Sequence, residues 1–363
     1  MSVASIRKDL HQIPELGRQE YKTKEYILNF VKDFKCEIFT PTKTSVVLYF
    51  DCQKEHTICF RADMDALPIC EKTNLEFQSK HNGLMHACAH DGHMAMLLQF
   101  ALFANENLDK LQNNIVCLFQ PSEEDNCGAN DIIESKILTK LNVERIFGFH
   151  IWPNLNLGKI YTMPKGMLAS SCEVNIDIVG KSVHAANKKD GIDALYIATR
   201  LINEYYDQMK DLDQPHLIHF GKMVSGTARN IVASQAKIEG TLRAFSDETF
   251  DLIRIKLQQL ASNLAKMYNT EINVSYNGIY PAVINDSKLV SEYKDVLNLE
   301  ILTKPFLQAE DFGCYTRHIK SMFMLIGCGS EHLLHTDTFD FDMNILNVGV
   351  EAYVTLATFK FSD

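Results

Sequence analysis

The sequence predicts an α/β protein: a mostly parallel catalytic sheet flanked by helices, with a smaller α+β unit, an antiparallel sheet plus two helices, inserted into it. Three observations lead there. Short apolar runs alternate with helical patterns through the first 150 residues, and continuous apolar strands separated by helices form parallel sheets covered on both faces. Near residue 170 the pattern turns to strict alternation, the mark of a sheet with one solvated face. From about residue 287 the buried style returns. The expected division is a metal-binding catalytic domain of residues 1–171 and 283–363 around an inserted domain of residues 172–282, and 363 residues suit two cores.

Each element has its own signal. Ile27, Phe30, Val31 and Phe34 recur at i, i+3, i+4, i+7 and predict an amphipathic helix. The runs SVVLYF (45–50), HTICFRAD (56–63), NIVCLFQ (114–120) and RIFGFH (145–150) predict buried strands, with a long helix from about 91 to 105 between the second and third. EVNIDIVG (173–180) alternates, and so does KIEGTLRAF (237–245). In the latter Ile238, Gly240 and Leu242 face one side, and Lys237, Glu239, Thr241 and Arg243 the other. Helical patterns at about 191–210 and 247–268 would cover the apolar face. MFMLIG (322–327) predicts a further strand, and 343–360 a closing helix.

Composition narrows the function. The formal net charge is −10, with no Lys/Arg-rich run, which argues against nucleic acid as a partner. The longest apolar stretch, MAMLLQFALFA (94–104), is too short to span a bilayer and reads as a buried helix, so no membrane association is expected. The ten cysteines form no CxxC pair. Together with an N-terminus that lacks an apolar signal core, they read as reduced thiols of a cytoplasmic protein.

Ligands of an open parallel sheet collect at the carboxyl ends of its strands. Arg61, Asp63 and Asp65 lie at the end of HTICF; Pro121, Ser122, Glu123 and Glu124 follow NIVCLFQ. His150 follows RIFGF, and Glu331, His332 and His335 follow MFMLIG. Between the first two runs lies MHACAHDGH, with His86, Cys88, His90, Asp91 and His93. Taken singly, an adjacent Glu pair is ordinary surface and a lone His an ordinary structural residue. Jointly, so many carboxylates on one rim cannot all stay ionised without a counter-charge, and divalent cations supply it. A Cys/His/Glu donor mixture suits zinc and also admits manganese, cobalt or nickel. Of two adjacent glutamates, one can bind metal while the other serves as general base. His86, Asp91, His93 and His332 read as supporting residues.

The segments IRKDLHQIPELGRQEYKT, RADMDALPI, MHACAHDGH, FQPSEEDNCGA, FGFHIWP, GKSVHAA and AEDFG, in this order along nearly the whole chain, resemble the dinuclear metal amidohydrolases. That family includes hippurate hydrolases, auxin-conjugate hydrolases and N-acetyldiaminopimelate deacetylases, and the last are the most similar. The resemblance implies two divalent metal ions held by Cys88, His90, Glu124, His150 and His335, with Cys88 a candidate bridge. It implies Glu123 as general base, an active-site role for Asp63, and Asp65 orienting a ligand. It implies that His184 reaches a catalytic centre and that Arg229 and Asn230 grip a substrate carboxylate. The inserted domain would act as a lid and as the contact of a homodimer, with a tetramer also open. The substrate would be a small N-acyl amino acid. Three departures stand out: Ala89 where the family has Gly, Ser182-Val183 where it has a Gly pair, and Ala233-Ser234 where it has Pro or Asp.

Overall fold

The computed structural model describes residues 1–125 and 127–360. These form two compact units: residues 1–167, 284–304 and 311–360, and residues 168–283 with 305–310.

The first unit is built on an eight-stranded mixed sheet. In chain order its strands are β1 (Glu37–Phe39), β2 (Val46–Phe50), β3 (Thr57–Asp63), β4 (Asn114–Gln120), β5 (Val143–Trp152) and β6 (Ile160–Thr162), then β13 (Glu300–Ile301) and β14 (Lys320–Gly327). The spatial order is β1-β2-β4-β3-β5-β14-β6-β13. The central strands β4, β3, β5 and β14 are mutually parallel, and the antiparallel pairs lie outside them. β3 and β4 are buried along their whole length, which is why they read as continuous apolar runs. Two short strands, β7 (Lys165–Leu168) and β12 (Val283–Asn285), stand where the chain leaves this unit and returns to it.

Helices α1 (Val3–His11), α2 (Tyr21–Val31), α3 (His90–Glu106), α4 (Gly128–Glu134), α5 (Ile137–Lys140), α8 (Ser287–Tyr293) and α9 (Ile345–Thr358) belong to the same unit. Helix α3 is buried nearly all round, with Met94, Met96, Leu97, Leu98 and Phe100 inside, and it packs in one core with Phe60, Phe147, Ile326 and Leu356. On α1 the buried stripe is Val3, Ile6, Arg7, Leu10 and His11. Two of those five are polar, so this face needs partners as well as apolar contact. Among the described residues no helix is long and apolar enough to cross a membrane.

The second unit has a four-stranded antiparallel sheet of β8 (Ser170–Val179), β9 (His216–Ser225), β10 (Gln235–Ala244) and β11 (Ile272–Tyr280), in the order β11-β8-β10-β9. Helices α6 (Ala194–Met209) and α7 (Asp247–Tyr268) supply Ile197, Leu201, Ile253 and Leu257 to a core that holds Val174, Ile176, Ile178, Ile238 and Leu242 from the sheet. The alternation of β8 and β10 is the alternation of that buried face. β9 and β11 are the sheet's two edges and are mostly exposed. The sequence patterns above assigned neither strand, although Ile272, Val274 and Tyr276 of β11 alternate with Asn273, Ser275 and Asn277 and pack on the core.

Gly148, on β5, leaves no room for a side chain in the central sheet. A Cβ there would meet Phe323 Cδ2 at 2.7 Å and Phe312 Cε2 at 2.8 Å. Gly148→Ala is expected to destabilise the first unit by roughly 1–3 kcal/mol through overpacking. The measurement is the urea midpoint; a midpoint equal to wild type would mean that the two rings give way at no cost.

Candidate metal centre

The parallel register assembles the centre. Asp63 stands opposite Gln120, and Arg61 opposite both Leu118 and Gly148, so β3, β4 and β5 deliver their last residues to one rim. β3 ends in Asp63 and leads to Asp65. β4 runs into the Pro121–Glu124 turn. β5 carries His150 near its end, and Cys88 lies two residues before the start of α3 at His90. His335 arrives from the loop after β14 and is tied in by its own amide, which donates to Ala87 O at 2.9 Å.

The five expected ligands come together. Cys88 Sγ lies 3.4 Å from His150 Nε2 and 3.2 Å from His335 Nε2. Glu124 Oε1 lies 3.1 Å from His335 Nε2 and 3.9 Å from His90 Nε2. Two donor groups result, Cys88–His90–His150 and Cys88–Glu124–His335, each with its ligand atoms within 4.8 Å of one another. Cys88 belongs to both, the position a bridging thiolate requires. Cys88, His90 and His150 are buried, whereas the His335 side chain is 51% exposed and marks the open side.

The imidazoles are oriented as ligands. His90 Nδ1 is 2.9 Å from Asp65 O, and His150 Nδ1 is 2.7 Å from Ile151 O. A ring nitrogen facing a carbonyl must carry the hydrogen, which leaves Nε2 with the lone pair when the ring is neutral. His90 Nε2 is buried and makes no hydrogen bond. His93 differs: Nδ1 is 2.6 Å from Asp63 Oδ1, and Nε2 accepts from Ile151 N at 2.9 Å. With both nitrogens occupied, His93 fastens Asp63 to β5, a supporting part.

Three carboxylates hold the rest. Asp65 Oδ1 accepts from Glu123 N at 3.0 Å and Oδ2 from Glu124 N at 2.9 Å, while its carbonyl takes His90. One residue thus orients both acids and a histidine. Asp311, from the AEDFG segment, accepts from Arg61 Nη2 at 2.6 Å, Gln120 Nε2 at 2.8 Å and Ala129 N at 2.9 Å, and its own amide donates to Glu123 Oε1 at 3.3 Å. Asp91 accepts from Arg7 Nε at 3.0 Å and His11 Nδ1 at 2.8 Å, which explains the polar stripe of α1. Arg61 also donates to Asp63 Oδ2 at 2.6 Å. Sequence reasoning gave Asp311, Arg7 and His11 no role, although the first and last conserve a visible signal: charged residues inside otherwise apolar or turn segments.

Burial and charge set the protonation. Burial opposes charge on His90, but Asp63 and Asp65 outweigh it and draw the imidazole up to about 10. Burial would raise Asp63, yet His90, His93 and Arg61 hold it well below the usual carboxylate range. Burial and the carboxylates of Glu124 and Glu123 push the Cys88 thiol well up, while burial and His93 press His150 well down. The donor set therefore asks for added positive charge. Buried thiol, imidazole and carboxylate donors, with an unpartnered His90 Nε2 among them, fit divalent cations of zinc's borderline character.

Three non-glycine residues here take left-handed backbone: Ala89 (φ 65°), Ser122 (φ 60°) and His335 (φ 63°). That conformation costs roughly 1–2 kcal/mol per L-residue. The first explains why the resembling family has Gly where this chain has Ala89.

His184, Arg229 and Asn230 lie on the second unit and are all exposed. They sit together: His184 bridges to Ile231, and Ala185 N donates to Asn230 O at 2.9 Å. His86 is buried, and burial presses its imidazole down to about 4. His332 is exposed, with Nδ1 3.1 Å from Thr338 Oγ1.

The family model of Peptidase family M20/M25/M40 matches residues 59–358. An N-acetyldiaminopimelate deacetylase of Bacillus cytotoxicus is 36% identical over 342 residues, covering 91% of this chain and 90% of its own. An uncharacterized hydrolase of Staphylococcus epidermidis is 34% identical over 360 residues, covering 94% and 93%. The crystal structure of a dinuclear metal-binding M20 peptidase from Bacillus subtilis superposes with a TM-score of 0.86 at 29% identity, covering 98% of this chain and 96% of that one. The chain belongs to the M20/M25/M40 peptidase family and is a hydrolase of it.

Cys88→Ala is expected to lower bound metal by about one equivalent, because a shared donor is lost from both groups. Elemental analysis of the purified variant checks this; undiminished metal would remove Cys88 from the ligand set.

Proposed function

We propose that this chain is a metal-dependent amidohydrolase that cleaves the acyl–nitrogen bond of an N-acyl amino acid, and that its substrate is N-acetyl-L,L-diaminopimelate, released as L,L-diaminopimelate and acetate. The carrying observation is the Glu123–Glu124 pair on the Asp65 carboxylate, with Glu124 turned to the donor cluster and Glu123 to the Asp311 amide. The Bacillus cytotoxicus relative supports the choice of substrate.

Cys88, His90, Glu124, His150 and His335 would hold two divalent ions, with zinc, manganese, cobalt and nickel all compatible. Such ions supply Lewis acidity toward the acyl oxygen and lower the pKa of water. Glu123 takes a proton from the attacking water as it adds to the acyl carbon. It then gives that proton to the nitrogen as the C–N bond breaks, so the amine leaves neutral; the second proton of the water stays on the new carboxylic acid and passes to solvent, which leaves the acyl group as carboxylate. The Asp311 amide and Asp65 keep Glu123 aimed during both transfers. Asp63, fixed by Arg61 and His93, keeps its charge beside His90.

From the second unit we assign His184 as donor to the developing oxyanion. Arg229 is the charged grip on the substrate carboxylate, with Asn230 beside it. The inserted domain, expected at residues 172–282, is assigned the lid role and the homodimer contact.

Glu123→Gln is expected to retain its metal and lose kcat by about three orders of magnitude or more, since general-base and positioning contributions fall together. Normal turnover in that variant would assign the base elsewhere. For the wild type, kcat/KM is expected to be highest for N-acetyl-L,L-diaminopimelate among N-acetyl and N-benzoyl amino acids and dipeptides. Preference for benzoyl amino acids would make it a hippurate-type amidohydrolase, and preference for dipeptides a dipeptidase. A metal-loaded protein inert to all of them would be a binding protein on this fold.

A further inference from the structure

The PELGRQE segment (14–20) takes no part in the chemistry above, yet it lies against the turn that carries both glutamates. A Cβ on Gly17 would meet Ser122 Oγ at 2.8 Å and Ser122 Cα at 3.2 Å. Glu15 O accepts from Ala66 N at 2.8 Å, next to Asp65. Glu20 is wholly buried, and its Oε1 accepts from Ser122 N at 2.9 Å. Its other oxygen, Oε2, is buried without a hydrogen-bond partner.

Ser122 is the residue whose conformation aims the two acids. Its φ is 60°, a left-handed turn that a serine adopts only when its surroundings enforce it. Its three polar groups are all engaged: the amide to Glu20, the carbonyl by Gly128 N at 2.8 Å, and Oγ to Asp125 O. The hydroxyl contact comes from within the same loop, and the carbonyl contact from Gly128, the first residue of α4. The Glu20 contact ties the Ser122 amide, the group directly before the two acids, to the PELGRQE segment. Immediately after Ser122, the amides of Glu123 and Glu124 fall on the two oxygens of Asp65.

We infer that Glu20 is a positioning residue: by accepting the Ser122 amide it holds the left-handed turn that presents Glu123 to the substrate and Glu124 to metal. This rests on the reading of Glu123 as base and Glu124 as ligand. A buried carboxyl with one unused oxygen is costly to keep, and burial with Asp65 nearby pushes Glu20 up to about 7. A group kept at that cost, touching the Ser122 turn, is explained by what it positions.

The test compares Glu20→Ala and Glu20→Gln with Glu15→Ala. Glu15 is a control in the same segment, its carboxylate accepting from Thr23 N and Oγ1 at 2.9 and 3.1 Å. Glu20→Ala is expected to lose kcat about tenfold or more with KM within about threefold, because a misaimed base costs turnover. It is also expected to weaken Co2+ binding to the apoprotein about tenfold, the size of a lost supporting contact to a ligand. Glu20→Gln keeps an acceptor and should hold both values near wild type, as should Glu15→Ala. Wild-type kcat and Co2+ affinity in Glu20→Ala would overturn the inference. So would equal losses in Glu15→Ala that track its melting temperature. Should Glu20→Ala not fold, Glu20→Asp, which withdraws the acceptor by one methylene, takes its place with the same expectations. A wild type that binds Co2+ but hydrolyses nothing removes the proposed activity alone, and the Co2+ titration still decides on Glu20. Should the wild type bind no Co2+, crystals of the variant decide: an unchanged Ser122 φ overturns the inference, and a displaced turn upholds it.

Discussion

Asp63, Asp65, Glu123 and Glu124, from the ends of the parallel strands β3 and β4, meet the Cys88 thiol largely out of water. Concentrating that much negative potential in a buried place is the constraint that the rest of the first unit answers to. Isolated buried carboxylates would be neutralised by protons. Here three of the four are committed to donors: Asp63 to Arg61 and His93, Asp65 to two amides, and Glu123 to the Asp311 amide. Arg61 is wholly buried and serves two of the acids at once, Asp63 and Asp311. What the fixed donors leave uncompensated is the share that a cation takes.

The same constraint explains a helix that looks wrong for its position. α1 buries Arg7 and His11 in a stripe where aliphatic residues would pack better. Both point at Asp91, in the first turn of α3. An acid at a helix N-terminus is favourable in itself, and pinning it fixes the turn that starts with His90. Burial works against charge on His11, but Asp91 and Glu71 outweigh it and hold the ring up to about 9. His11 is thus held charged against Asp91 through neutral pH, and with Arg7 it packs behind the ligand loop. The left-handed Ala89 can persist there because the residues on either side of it, Cys88 and His90, are both buried and held by other elements.

Much of this was readable beforehand because the central strands are buried on both faces and their apolar runs are unbroken. Reading the polar residues that follow each run was enough to collect Arg61, Asp63, Asp65, Glu123, Glu124 and His150, and the family resemblance then sorted them into base and ligands. The edges were less readable. β9 and β11 lie at the borders of their sheet, and the face that packs on the core, Ile218 and Phe220 on β9 and Ile272, Val274 and Tyr276 on β11, is short and largely half-buried. The supports were not readable. Glu20, Asp311 and Arg7 act across separations of 102, 188 and 84 residues, and a single sequence carries no trace of which distant amide a carboxylate will meet. Asp65, expected to orient a ligand, faces His90 with its carbonyl and one carboxylate oxygen, and its carboxylate also takes the two glutamate amides.

That last arrangement bears on why two adjacent acids can hold different roles. Glu123 and Glu124 share one anchor, the Asp65 carboxylate, through consecutive amides. Their side chains then diverge. Glu124 Oε1 reaches His335 and the Cys88 group, while Glu123 Oε1 is met by the Asp311 amide. An amide donor contacts a carboxylate oxygen without surrendering a proton to it, which leaves Glu123 the acceptor role that a base needs. A ligand needs the opposite, an oxygen left open toward the cation. The turn at Ser122 is what separates the two fates, and it is the one place in the loop where the backbone is left-handed immediately before the acids. The chemistry proposed for the pair therefore depends less on the glutamates' identity, which is the same, than on the rotation imposed one residue earlier.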